Sequence, residues 1–236
     1  MAHMHIARIR AALLLLGLSF GYVEAAVVVY LRALSEPVRQ KLVPQAPKDE
    51  LFPLLGWDRT KTDAPEIARL IPIEVAREAA TIVMLASTAL LVSGRGLWLP
   101  SFALLFGAWD ASFYLFLKVM LNWPPSVFTW DLLFLIPVPW TAPVLAPLLV
   151  SVALMACGWA SVGRRLQFSA AHWICMLAGN LAILSSFITR YREVLGGALP
   201  IHFPWPVFSA GLIVVLGAFV QAFRAAISMP PGDVRS

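Results

Sequence analysis

The chain has 236 residues, 60% of them hydrophobic and 13% charged, a formal net charge of +5 and a mean hydropathy of +0.79. A soluble domain carries about one quarter charged residues, so this composition excludes one and marks a polytopic membrane protein surrounded by a lipid bilayer. The cations stand mostly at the ends of apolar runs, which assigns them to membrane topology and not to nucleic acid.

Arg8 and Arg10 precede a first apolar run, expected to span at about 11–33. The basic start and Val23-Glu24-Ala25 imitate a signal peptide with its cleavage site, but the run continues through Val27, Val28 and Val29, as a retained spanning helix does. Gly17 and Gly21 form a small-xxx-small pair, with Glu24 on the same helical face. That face is expected to pack on protein. Residues 34–72 are the only long polar stretch, punctuated by Pro37, Pro44, Pro47, Pro53 and Pro65, and read as an extramembrane loop with a short helix near Asp63 to Arg69.

Pro72 opens a second span over 73–93, with Glu74, Arg77 and Glu78 in its first turns. Gly94-Arg95-Gly96 reads as a tight turn into a third span over 97–121, which carries Trp109, Asp110 and Lys118. After Trp123-Pro124-Pro125 and Asp131, a fourth span is expected over 132–162, tilted or broken by Pro137, Pro139, Pro143 and Pro147. Arg164 and Arg165 close it. A fifth span, 169–189, carries Asn180, and a sixth covers 206–227.

The expected fold is one all-α domain, a transmembrane bundle of about six helices with a long loop between spans one and two. The positive-inside rule sets Arg8, Arg10, Arg95, Arg164, Arg165 and Arg224 against Lys118, Arg190 and Arg192. Both termini are therefore expected in the cytoplasm, with the chain in a bacterial inner membrane.

In that topology depth follows from the helical rise, about 1.5 Å per residue. Glu24, Glu78 and Asp110 lie inside the outer half of the membrane, with Glu74 and Asp131 at its rim. All five, with Arg77, Lys118 and Arg190, fall within roughly 16 Å of the outer surface by that rise. Ionised groups at such depth must face one another, a bound cation or water.

Three readings stay open. The residues can form structural ion pairs. They can hold a divalent metal through Glu24, Glu74, Glu78, Asp110 and Asp131, since hard oxygen ligands suit magnesium, calcium, manganese or iron. They can act as protonated carboxyls, with Glu24, which has no cation near it in sequence, as the leading proton carrier. Glu24, Glu78 and Asp110 are the candidate catalytic set; Arg77, Lys118, Trp109, Asn180 and Arg190 support it.

Trp109 beside Asp110 could shelter a cationic or isoprenoid-like molecule, whereas Trp123, Trp130 and Trp205 fit an interfacial belt. Cys157 and Cys175 lack metal or redox spacing. Haem is disfavoured because His172 has no second histidine within the spans. Nucleotide is disfavoured because no Gly-rich phosphate loop occurs.

Gly21 to Arg32 (Gly-Tyr-Val-Glu-Ala-Ala-Val-Val-Val-Tyr-Leu-Arg), Ala76 to Thr81, and Leu133 to Trp140 (Leu-Phe-Leu-Ile-Pro-Val-Pro-Trp) resemble an uncharacterised family of bacterial multi-pass membrane proteins. The resemblance covers spans one to four and implies no activity. Pro72 to Glu74 is also similar to the Pro-x-Glu-Glu of membrane-embedded lycopene cyclases, but Val75 replaces the second glutamate, so that activity does not transfer. The expectation is a metal- or proton-dependent membrane enzyme acting on a lipid-soluble or amphipathic small molecule. The alternatives are a small cation- or proton-coupled transporter, and a non-catalytic subunit with membrane-protein partners or further copies of itself.

Overall fold

A computed structural model describes residues 2–42, 44–45, 57–93, 98–164, 166–198 and 202–228. Among them the helices are α1 (Ala2–Leu42), α2 (Trp57–Asp63), α3 (Pro65–Ser93), α4 (Trp98–Leu121), α5 (Leu145–Ser161), α6 (Ala170–Ile188), α7 (Tyr191–Leu195) and α8 (Trp205–Ser228). Five of them, α1, α3, α4, α6 continued through α7, and α8, are long and apolar enough to cross a membrane, the mark of a multi-pass membrane protein. The expected Gly94-Arg95-Gly96 turn, Arg165 and residues 46–56 of the polar loop lie outside the described residues.

The polar stretch is more helical than its prolines suggest. α1 passes through Pro37 to Leu42, and α3 starts at Pro65 and passes through Pro72. The 41 residues of α1 reach about 60 Å at the α-helical rise, twice a hydrocarbon core of about 30 Å. α1 is therefore longer than a crossing requires. The short helix of the loop is α2, which lies just before the expected Asp63 to Arg69 segment and is separated from α3 only by Ala64.

The fourth span is not one helix from 132 to 162. Trp130–Phe134 (β1) and Trp140–Pro143 (β2) form an antiparallel hairpin, with Trp130 opposite Pro143, Leu132 opposite Thr141 and Phe134 opposite Trp140. The register shifts between Leu132 and Phe134. Pro137, Pro139 and Pro143 have no N–H to give a helix, and each biases the residue before it to extended backbone. Only α5 remains helical, and its 17 residues span about 25 Å, short of a full crossing.

α1 lies along α4, α4 along α5, and α6 along α8, with α3 on the other flank of α4. The α1–α4 contact is close because of the two glycines: a Cβ on Gly17 would lie 2.7 Å from the Ala108 Cβ, and one on Gly21 would lie 2.6 Å from the Trp109 carbonyl oxygen. Leu13, Glu24 and Ala25 are buried on this same face, so the face packs on protein as its pattern predicts.

Apolar packing has three centres. Leu13, Leu85, Leu104, Leu105 and Trp109 form one. Ile183, Phe187, Phe203 and Phe208 form the second, and Ala25, Tyr114, Leu117 and Trp123 the third. The hairpin touches all three, through Phe134, Trp140 and Leu133 respectively. Trp123 is 1% exposed and stacks on Tyr114 at 6.4 Å, so it is a core residue and not the interfacial one its position suggests.

Candidate functional site

A cavity of about 990 Å³ lies between α1, α3, α4, α5, α6 and the hairpin. Glu24, Glu74, Glu78, Asp110 and Asp131 all line it, together with Arg77. Its remaining wall is mainly apolar, with Val28, Leu31, Ile67, Ile82, Phe106 and Phe113 on the helices that flank the acids. Thr60 of α2 and Ser35 of α1 line it as well, so the polar stretch between the first two apolar runs contributes to the same space.

α3 brings three acids' worth of contacts together because Glu74, Glu78 and Thr81 recur at helical spacing on one face. Arg77 donates from Nε to Glu74 at 2.9 Å, and from Nη1 to the Glu24 carboxylate across the α1–α3 boundary. Thr81 Oγ1 donates to the other Glu24 oxygen at 2.7 Å. Glu24 is 5% exposed. Glu24 has no cation near it in sequence, but its partner lies 53 residues away, where local inspection cannot see it.

Glu78 turns to the hairpin. Its carboxylate accepts the Leu135 N–H, at 2.8 Å to Oε2 and 3.1 Å to Oε1. Leu135 stands immediately after β1, where the ladder no longer uses its backbone N–H, so the acid takes the place of a strand partner.

Asp110 and Asp131 make the opposite wall. Asp110 Oδ2 accepts from Ser151 Oγ of α5 at 2.5 Å. One helical turn beyond Asp110, Tyr114 donates its hydroxyl to Asp131 Oδ2 at 2.8 Å, while Asp131 Oδ1 accepts the Leu132 N–H at 2.9 Å. The charge of Arg32 on α1 also acts on Asp131. On the hairpin, outside the spanning helices, burial pushes the Asp131 carboxyl up to about 7, against the pull of its two hydrogen bonds.

Three supporting residues sit elsewhere or do less than expected. Lys118 donates to the carbonyl oxygens of Asn122 and Pro124, at 3.4 and 3.0 Å, and closes the end of α4. It does not pair with Asp110. Arg190 pairs with Glu193 at 2.5 Å and does not line the cavity. Asn180 lines the cavity, but its side-chain amide donates to the Met176 carbonyl of its own helix at 2.8 Å. Trp109 lines the cavity too, 6% exposed and with its indole N–H unpartnered among the described residues.

Sequence reasoning missed Thr81, Tyr114 and Ser151. Thr81 lies seven residues after Glu74, and Tyr114 four after Asp110, so extending the acidic faces by helical period would have found both. Ser151 belongs to α5 and meets Asp110 only through the α4–α5 contact; its position in sequence carries no such signal.

Among the described residues no three His, Cys, Asp or Glu side chains are grouped to hold a metal ion. The five carboxylates share a cavity; Glu24 and Glu74 share Arg77, while Glu78, Asp110 and Asp131 each hold different partners. Comparison with family models, curated proteins and solved structures finds no match to this chain, so its chemistry is read from its own geometry.

Proposed function

We propose that this chain is a membrane enzyme that holds a lipid-soluble or amphipathic molecule in the cavity and exchanges protons with it through Glu78, Asp110 and Asp131. The observation that carries this reading is the cavity itself, about 990 Å³ with five carboxylates among mainly apolar lining. A carboxyl buried in an apolar wall keeps its proton more readily than one in water, and can give it up and recover it. Glu24, held by Arg77 and Thr81, is a positioning residue in this scheme: it fixes α3 against α1 and so places Glu78. Arg77 occupies both Glu24 and Glu74, and Glu78, Asp110 and Asp131 each face a different partner; this favours proton exchange over a divalent metal.

In this reading α5, short as it is, completes a six-span bundle in a bacterial cell membrane, with both termini cytoplasmic. Transport receives less support, because Leu13, Leu85, Leu104, Leu105 and Val162 pack together with Trp109 as one apolar cluster, which an ion would have to cross.

The test is extraction of the purified protein with organic solvent and mass spectrometry of what it carries. An amphiphile should copurify with the native chain and fall at least about tenfold in Ile82→Trp, a substitution that fills the cavity from α3. Equal recovery from both proteins would overturn the reading. The identified amphiphile then serves as the substrate for Glu78→Gln and Asp110→Asn, which should retain binding and lose turnover.

A further inference from the structure

The end of the bundle away from the carboxylates gathers positive charge without an acid to balance it among the described residues. Ile6 of α1 lies against the turn after α5: a Cβ on Gly163, whose φ is +87°, would be 2.6 Å from Ile6 Cδ1. One turn along α1, Arg10 lies 4.9 Å over the Trp159 ring and donates from Nη2 to the Val162 carbonyl at 2.9 Å. Arg164 donates to the Ala160 carbonyl at 2.5 Å, and its guanidinium is 5.7 Å from the Phe223 ring of α8. Three helix ends therefore meet around two guanidinium groups.

Part of this arrangement is structural. The last carbonyls of α5 lack helical partners, and a cation beside them is favourable. That role uses one N–H donor of each arginine and leaves the rest. Arg10 Nε is buried without a partner among the described residues, and the charges of Arg10 and Arg164 are close enough to oppose each other. Helices α5, α6 and α8 contain no Asp or Glu at all. The nearest acid on α1 is Glu24, about 21 Å along the helix at its normal rise. Neither arginine has a carboxylate partner among the described residues.

We propose that Arg10 and Arg164 bind the phosphate of an anionic phospholipid, with its acyl chains lying along α5 and α8. A guanidinium fork matches phosphate oxygens geometrically, and basic pockets between spanning helices are suited to anionic headgroups. The apolar part of the site is present as well. Val152 and Trp159 of α5 and Val220 of α8 are 55%, 46% and 41% exposed, and α5 and α8 meet at only a few points, which leaves a groove for hydrocarbon. Topology alone accounts for cations at this end, but it does not require two of them to converge on one helix end, one over the Trp159 indole and the other over the Phe223 ring.

The full chain, delipidated in neutral detergent, is titrated in separate arms with phosphatidylglycerol, phosphatidylcholine and inorganic phosphate, and bound lipid and thermal midpoint are read together. Phosphatidylglycerol should bind and raise the midpoint, phosphatidylcholine should bind far more weakly, and phosphate alone should have no effect at millimolar concentration. Arg10→Gln with Arg164→Gln should weaken phosphatidylglycerol binding about thirtyfold, on the basis of about fivefold per cation near a membrane surface. Arg164→Gln alone, at an exposed position, gives the single-cation loss if the double variant does not fold. Equal binding of the two lipids, unchanged selectivity in the variants, or full stabilisation by inorganic phosphate would each overturn the proposal.

Discussion

Arg77 of α3 holds Glu24 of α1 and Glu74 of its own helix at once. One cation thus joins two helices that otherwise touch sparsely. Arg77→Met leaves both carboxylates without their cation, and breaking a buried pair from one side costs about 3–5 kcal/mol. The thermal midpoint in detergent should drop accordingly. Adding Glu24→Gln to that variant should recover part of the loss, since it removes the stranded charge. A double variant no more stable than Arg77→Met would show that the two side chains are not coupled.

Asp131 predicts a pH dependence of definite sign. A free aspartate ionises near about 3.9, whereas the folded carboxyl does so at about 7. Between those values the folded chain holds a proton that the unfolded chain has lost. Stability should therefore fall as the pH rises from about 4 to about 7, and then level off, with a slope from this group of at most about 1.4 kcal/mol per pH unit. Subtracting the profile of Asp131→Asn from that of the native protein isolates the slope; identical profiles would assign the proton to another group.

Glu78 supports the hairpin through the backbone of Leu135. Glu78→Ala leaves that N–H without an acceptor, at a cost of about 1–3 kcal/mol. Glu78→Gln keeps a carbonyl oxygen in place and should cost less. Hydrogen exchange resolves the two: the Leu135 amide should exchange fastest in the alanine variant and at an intermediate rate in the glutamine variant.

Gly21 and Gly217 form an internal comparison. A methyl group on Gly21 meets the α4 backbone at 2.6 Å, while one on Gly217 meets nothing within 4 Å. Gly21→Ala should force α1 away from α4 and cost about 1–3 kcal/mol. Gly217→Ala should stabilise α8 by about 0.5–1 kcal/mol, through helix propensity alone. Thermal midpoints of the two variants should move in opposite directions.

The legible parts of this fold were those governed by one-dimensional rules. Apolar length located the long helices, and the spacing of Gly17, Gly21 and Glu24 identified the face of α1 that meets α4. Helical depth read Glu24, Glu78 and Asp110 into one half of the membrane, and all three line one cavity. What escaped was decided in three dimensions. The apolar run from Leu132 reads equally as buried helix or buried strand, and only Pro137, Pro139 and Pro143 argued for the hairpin. The Glu24–Arg77 contact joins residues 53 apart, and Ser151 reaches Asp110 across 41. No local pattern encodes either.

The hairpin has a mechanical consequence. Phe134 packs 6.4 Å from Trp109 and 5.5 Å from Trp140, which in turn stacks on Phe187 of α6 at 6.3 Å. Leu135, the next residue after Phe134, is the one anchored to Glu78. A single short ribbon therefore carries both the acid's hydrogen bond and the seat of the α6–α8 pair, and it works as a lever: a shift at Glu78 of the kind that releases Leu135 is delivered, ring against ring, to helices that hold no acid of their own.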